Sequence, residues 1–110
     1  MVRQSKTVIS SQNYENHLVE ILEYGIEMFG YTQARKYFDT VSCLVENLGN
    51  EYMLYPECRH LATKNRKYRN IILDTHLIIY RITSERIEVL DIIHSASNVG
   101  KIRDTRKIYI

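Results

Sequence analysis

The side chains with the clearest capacity for chemistry lie in the second half of this sequence, on segments with the composition of β-strands. His94 ends one such segment, where an imidazole can serve as a general acid or base. Arg69 and Arg81 could hold a phosphate by forked hydrogen bonds. Tyr80 and Tyr109 could stack on bases or donate protons. These residue types suit in-line attack by a ribose 2′-hydroxyl, so acid–base cleavage of RNA is the enzymatic candidate.

Each of these residues also has a structural interpretation, which we favour for each one taken singly. His94 could simply cap the end of a strand. Arg81 could pair with Glu88 or Asp91 across a hairpin. Tyr80 could be a core residue. The sequence therefore predicts no committed catalytic residue.

Other reactive groups form no recognisable site. Cys58 and His60 lie two residues apart, but no second pair stands at zinc-site spacing. His17 falls between apolar positions of a helix pattern and is predicted to lie on the surface. Cys43 is predicted to be a small core residue of a second helix. We therefore expect no metal and no cofactor, and two such cysteines fit a reducing cytosol.

Three consecutive strands are predicted around these residues, because β-branched and aromatic residues alternate with short polar turns. Their expected bounds are Tyr68–Leu73, His76–Thr83 and Arg86–His94. A further short strand is predicted earlier in the chain, at Lys6–Ser10. The last residues, 107–110, are expected to form another short strand or a docked tail.

Two amphipathic helices are predicted between the first strand and the other three. The first, over Gln12–Phe29, begins after a serine cap at Ser10 or Ser11 and ends at Gly30. The second is expected to be capped by Thr32 and to run to about residue 48, where Gly49 would end it as Gly30 ends the first. So short a joint predicts an antiparallel hairpin.

The order strand, helix hairpin, loop and meander predicts an α+β fold, with the hairpin on one face of an antiparallel sheet that the first strand joins. At 110 residues, with no linker or repeat, the chain is expected to form a single domain over 1–110. It contains no secretory signal and no apolar run of about 18 residues, so we expect a cytoplasmic protein with no membrane partner.

The net charge of +2 conceals an asymmetry between the two halves of the chain. Residues 1–58 hold four basic and eight acidic side chains, whereas residues 59–110 hold eleven basic and five acidic ones. The basic residues form two groups, one over residues 59–69 and one over residues 101–107. An anionic partner, either nucleic acid or an acidic protein, is therefore indicated. The predicted contact residues are Arg59, Arg69, Arg81, His94, Lys101, Arg103 and Arg106.

Both faces of the predicted sheet are substantially apolar. On the middle strand, Ile78, Tyr80 and Ile82 share one face, while Leu77, Ile79 and Arg81 share the other. The helix hairpin can cover only one of them. The second would be covered either by the loop and C-terminal tail or by a partner, and we favour a partner because basic groups flank the same strands.

In this order of elements the sequence resembles the RelE/ParE superfamily of type II toxins. The motifs that carry the resemblance are Ala34-Arg-Lys-Tyr-Phe38, Tyr68-Arg69, His76-Leu-Ile-Ile-Tyr-Arg-Ile82 and Ile87-Glu-Val-Leu-Asp-Ile-Ile-His94. The resemblance covers nearly the whole chain. It implies a toxin neutralised by an antitoxin, with which it forms a hetero-oligomer, and an antitoxin tail that wraps over the sheet and the helices.

The resemblance allows two targets. RelE-like members cut messenger RNA on the ribosome, whereas ParE-like members poison DNA gyrase. Family nucleases usually carry an arginine, or a histidine–tyrosine pair, near the last strand. Here Ser95-Ala-Ser-Asn98 follows His94, although Arg103 or Tyr109 could substitute. The ParE-like interpretation is therefore favoured over the nuclease, and a degenerate antitoxin-binding module is the third alternative.

Overall fold

The computed structural model describes residues 5–110 and shows the predicted α+β order of elements. The first four residues of the expected 1–110 domain lie outside the described part. The strands are β1 Thr7–Ser10, β2 Tyr68–Ile72, β3 His76–Ile82 and β4 Arg86–His94. The helices are α1 Gln12–Phe29, α2 Tyr31–Glu46, α3 Leu48–Glu51 and α4 Val99–Asp104, with 3-10 turns at Arg59–Leu61 and Thr105–Lys107.

Local chemistry sets both ends of α1. Ser11 is the N-cap, and its hydroxyl accepts a hydrogen bond from the Tyr14 N–H at 3.0 Å. Gly30 ends the helix with φ +88°, a backbone conformation that glycine adopts without steric cost. Gly30 then leads directly into Tyr31, and α2 begins without a side-chain cap. The prediction that Thr32 caps α2 is therefore wrong, because the glycine turn places Thr32 inside the first helical turn.

The predicted role of Gly49 is also wrong. Helix α2 already ends at Glu46, and Gly49 lies inside the short helix α3, where it is buried. Its carbonyl accepts a hydrogen bond from the Lys6 N–H at 2.9 Å, and a Cβ at this position would overlap the Lys6 carbonyl oxygen. Gly49 therefore permits a close approach of the chain just before β1, and it does not end a helix.

Cys43 lies on the exposed side of α2, contrary to the prediction of a core residue. The buried side of this helix is formed by Ala34, Val41 and Val45. Cys43 is two residues beyond Val41, about 200° around the helix axis, and so faces away from the sheet. Cys58 is buried instead, and burial raises the pKa of its thiol.

The four strands form one mixed sheet in the order β1-β4-β3-β2. Strands β2, β3 and β4 form the predicted antiparallel meander, but β1 pairs with β4 in parallel. The Ser11 N–H extends this pairing by donating to the Val89 carbonyl at 2.9 Å, which fixes the start of α1 over β4. A β-bulge gives β4 one extra residue, Leu90, between the partners of Ile79 and Tyr80.

The helix hairpin covers one face of the sheet, which we call the helix face. Its core joins Leu18 of α1 and Val41 of α2 to Ile78, Tyr80 and Ile92 of the sheet. Gly25 allows the two helices to approach closely, because a Cβ there would lie 3.1 Å from the Cβ of Ala34. The hairpin is thus fixed to the sheet near β1 and β4.

The opposite face, which we call the tail face, is covered by the chain itself. Leu61 of the 3-10 turn and Ile102 of α4 pack there on Ile79, Leu90 and Ile93. The tail residues Ile108 and Ile110 pack against the same cluster. The prediction that a partner covers this face is therefore wrong. Part of this cover comes from α4, a six-residue helix that was not predicted and that supplies Ile102.

Candidate functional site

The predicted contact residues fall into separate regions of the structure. Arg59 lies on the 3-10 turn that packs against α4, and Lys101, Arg103 and Arg106 lie on α4 and the turn after it. All four side chains are exposed. Since Leu61 and Ile102 join these elements in one cluster, the four cations belong to one side of the molecule. We call them the tail-side basic surface.

Arg81 is not available to hold a phosphate. Its Nε donates to Glu88 Oε1 at 2.7 Å, and its Nη2 donates to the Ile108 carbonyl at 3.4 Å. Glu88 is buried and also pairs with Arg86 Nη2 at 2.6 Å. Burial alone would raise the pKa of Glu88, but hydrogen bonds from the two arginines outweigh it and lower the pKa. The structural interpretation of Arg81 is therefore correct, and the group fixes the tail.

Arg69 is also engaged, but on the loop before the meander. Its Nη1 donates to the Tyr55 carbonyl at 2.9 Å, and its Nε donates to the Arg66 carbonyl at 3.3 Å. Residue Glu57 forms a single β-bridge with Arg69, which pairs this loop with the outer edge of β2. Arg69 therefore holds a loop in place.

The two tyrosines of the predicted set differ completely in environment. Tyr80 is fully buried, and its hydroxyl donates to the Tyr52 carbonyl at 2.7 Å. Because its ring is buried, Tyr80 cannot stack on a base. Burial also raises the pKa of Tyr80 well above its ordinary value, so it is a poor acid near neutral pH. Tyr109, in contrast, is 95% exposed in the tail.

His94 lies far from the predicted phosphate ligands. It pairs with His76 at one end of the β3–β4 ladder, while Arg81 pairs with Glu88 near the other end. Five residues of strand separate His76 from Arg81, a distance of about 17 Å. The residues proposed for RNA cleavage therefore do not converge on one reacting group.

His94 instead belongs to a polar cluster that sequence reasoning missed. The rings of His76 and His94 meet edge to face, with centroids 5.7 Å apart. His76 Nδ1 lies 2.8 Å from the hydroxyls of both Tyr37 and Thr75. His94 Nδ1 accepts a hydrogen bond from the Ala96 N–H at 3.0 Å. The signal was present, because adjacent ends of predicted antiparallel strands carry the two histidines.

This cluster forms one end of an open cleft of about 560 Å³, which we call the hairpin cleft. Its other walls come from the free end of the helix hairpin, which is the end around the Gly30 turn. These walls are lined mainly by apolar and aromatic side chains. They include Glu20, Tyr24 and Phe29 of α1. Burial, and then the neighbouring His94, lower the pKa of His76, which favours its neutral form at the ordinary pH of the cell.

His17 was predicted to be a surface residue, and its side chain is 35% exposed, but one of its ring nitrogens makes a contact that was not predicted. Its Nδ1 lies 2.6 Å from a carboxylate oxygen of Asp91, which is only 5% exposed. The same oxygen accepts a hydrogen bond from the Ile92 N–H at 2.8 Å. The pair therefore joins α1 to β4, and its role is structural.

Residues 5–110, which the structure describes, contain neither a metal-ligand cluster nor a helix that could span a membrane. No group of three or more His, Cys, Asp or Glu side chains is placed to hold an ion within this range. Cys58 and His60, the closest pair in sequence, thus have no third ligand there. No helix of the described part is long and apolar enough to cross a membrane.

The sequence and the fold both match known toxins. The family model for the ParE toxin of the type II toxin–antitoxin system parDE matches residues 8–99. A solved structure of the chromosomal ParDE toxin–antitoxin system from P. aeruginosa is similar in fold, with a TM-score of 0.68 and 15% identity. The match covers 82% of this chain and 96% of that one. No curated protein matches the chain. Because the family model spans most of the sequence, the chain belongs to the ParE family of type II toxins, within the RelE/ParE superfamily.

Proposed function

We propose that this protein, acting as a single unit over residues 1–110, inhibits DNA gyrase in the cytoplasm and is neutralised by a cognate antitoxin. The family supports a toxin of this class. The observation that carries the choice of target is the separation of the predicted cleavage residues. Arg69 and Arg81 are engaged with the chain itself, and His94 lies at the far end of the sheet.

This separation argues against RNA cleavage more strongly than against inhibition of gyrase by binding. A nuclease without a positioned acid or base loses roughly a hundredfold to ten-thousandfold in rate for each proton transfer. Binding to a protein target needs only charge and shape, which the tail-side basic surface supplies without any convergence of groups. Gyrase inhibition therefore requires fewer positioned catalytic groups than cleavage of messenger RNA on the ribosome, which is the alternative function.

The same surface gives the antitoxin a place to bind. Because the tail face is already covered, an antitoxin would contact the exposed cations around it, and not the sheet beneath. Acidic side chains of the antitoxin would pair with Arg59, Lys101, Arg103 and Arg106. Such exposed charges mainly set the association rate and its salt dependence. The complex would be a hetero-oligomer.

Two assays on the purified chain test the target. We expect it to inhibit supercoiling by gyrase and to leave messenger RNA intact on translating ribosomes. The triple variant Lys101→Ala, Arg103→Ala, Arg106→Ala should inhibit about tenfold less, since three exposed charges at about 0.5 kcal/mol each amount to one factor of ten.

The matched control is Lys36→Ala, which removes an exposed cation from α2 on the other side of the sheet. It should inhibit gyrase as the native chain does. Codon-specific cleavage that disappears in His94→Ala would overturn the gyrase proposal and establish the nuclease. Equal losses in the triple variant and in Lys36→Ala would show that the tail-side basic surface has no special role.

A further inference from the structure

The charged side chains of this fold are divided between the two sides of the sheet. On the helix face, α1 carries four glutamates and no lysine or arginine, and α2 carries two residues of each sign. On the tail face, the 3-10 turn over residues 59–61 has no acidic residue, and residues 99–107 hold four basic residues and one acidic residue. The molecule is therefore negative on one side and positive on the other, which would orient it in front of a polyanion.

Two acidic groups on the positive side are balanced by cations of the chain itself. Asp104 pairs with Lys107 at 3.4 Å. Glu88 is buried and pairs with both Arg81 and Arg86, so this cluster holds one excess positive charge beneath the tail. The four cations of the tail-side basic surface are exposed and can meet an anion outside the chain.

The aromatic residues of this part of the chain decide which form of nucleic acid the surface fits. Residues 59–110 contain three aromatic residues, of which Tyr68 and Tyr80 are buried and only Tyr109 is exposed. Proteins that bind single strands usually stack successive bases on several aromatic rings. One exposed ring cannot do this, whereas contact with the phosphates of a duplex requires only cations. The surface therefore fits a duplex better than a single strand.

An acidic protein segment is a weaker match for these cations than duplex DNA. An extended polypeptide carries at most one carboxylate in about 3.5 Å of its length. Duplex DNA carries one charge in about 1.7 Å of its axis and releases condensed counterions when cations bind it. A disordered acidic segment would also lose conformational freedom on binding, a cost that a stiff duplex does not have.

We propose that the tail-side basic surface binds the phosphate backbone of duplex DNA without regard to sequence, with the acidic helix α1 facing away from the DNA. Contacts to phosphates carry no sequence information. The proposal rests on the proposed function only for its setting, since gyrase acts on duplex DNA and the toxin would meet the enzyme and its DNA together. Binding to DNA itself can be measured without gyrase.

The test measures the affinity of the full chain for a short labelled DNA duplex by fluorescence anisotropy at several salt concentrations. One phosphate for each of the four cations predicts a slope of about −3.6 for log affinity against log salt concentration, since each phosphate contributes about −0.9. The affinity should therefore fall about a hundredfold between about 50 and 200 mM salt. A duplex of unrelated sequence should give the same slope.

Two double variants with the same net charge locate the binding. Arg103→Ala, Arg106→Ala removes two cations from the tail side and should make the slope less steep by about 1.8. Arg35→Ala, Lys36→Ala removes two cations from α2 and should leave the slope as it is in the native chain. All four side chains are exposed, so both variants should unfold in urea as the native chain does. Equal changes of slope in the two variants would overturn the proposal.

Poly-glutamate as a competitor distinguishes DNA from an acidic protein segment. At the same concentration of charge it should displace the labelled duplex at least about tenfold less well than unlabelled DNA does. Equal displacement, or an affinity of the native chain for DNA that does not change with salt, would overturn the proposal. DNA binding without inhibition of gyrase would support this proposal and overturn the proposed function. Inhibition of gyrase by a chain that does not bind DNA would overturn this proposal alone.

Discussion

The two faces of the sheet are covered in different ways. One face is closed by the chain itself, whereas the other leaves a cleft open. On the helix face, α1 and α2 pack on the sheet near β1 but leave the hairpin cleft open at their free end. On the tail face, short turns and the last residues close the surface, and buried Glu88 holds the arginines that fix the tail. We therefore expect substitutions among the residues that fix the tail to lower stability more than those around the cleft.

The largest expected effect comes from Glu88→Gln, which keeps the shape of the side chain but removes its charge. Breaking a buried ion pair typically costs about 3–5 kcal/mol because the remaining charge is left uncompensated. Since the Arg86 side chain is 36% exposed, water offsets part of this loss, and we expect the free energy of unfolding to fall by about 2–3 kcal/mol. Denaturation with urea measures it.

The control for Glu88→Gln is Asp104→Ala on α4. Asp104 pairs with Lys107 at 3.4 Å, but both side chains are 70% exposed, so its loss should change stability by less than about 0.5 kcal/mol. Similar effects of the two substitutions would show that the buried carboxylate does not fix the tail.

A smaller effect is expected from Ile108→Ala in the tail. Ile108 is half-buried against the tail-face cluster, so the lost apolar contact should cost about 1 kcal/mol. Phe29→Ala at the hairpin cleft removes a larger side chain, yet it should change the free energy of unfolding by less than about 0.5 kcal/mol because Phe29 is mostly exposed. If Phe29→Ala were the more destabilising of the two, the division between the faces would be wrong.

The sequence predicted the regular elements well because their signals are local. The apolar stripe and serine cap of α1 gave its bounds, and alternating β-branched residues gave the three strands to within a residue. Local signals could not predict that β1 pairs with β4 in parallel. This pairing includes the hydrogen bond from the Ser11 N–H to the Val89 carbonyl, and these two residues are far apart in the sequence.

The candidate site was predicted less well because its features depend on contacts between distant segments. Composition predicted a basic group at residues 101–106, and the structure shows the side chains of Lys101, Arg103 and Arg106 exposed. It could not show that Arg81 is held by Glu88 and by tail carbonyls, nor that Tyr37 from α2 reaches His76. His76 was predicted only as the first residue of a strand, although it also lies at one end of the hairpin cleft.

The smallest expected effect is a pH dependence of stability that belongs to the helix face. Burial lowers the pKa of His76 in the folded chain below its value in the unfolded chain, so the unfolded state binds a proton more readily. The free energy of unfolding should therefore fall as the pH drops below about 6.5 and should level off below the pKa of the folded state. In His76→Asn this part of the slope should be absent. The matched substitution on the tail face, His60→Asn, replaces a histidine of the 3-10 turn, outside the hairpin cleft, and serves as the control. Urea denaturation across this pH range measures the three slopes. A slope that disappears in His60→Asn and persists in His76→Asn would place the acid-sensitive group on the tail face, and the comparison between the two faces would be reversed.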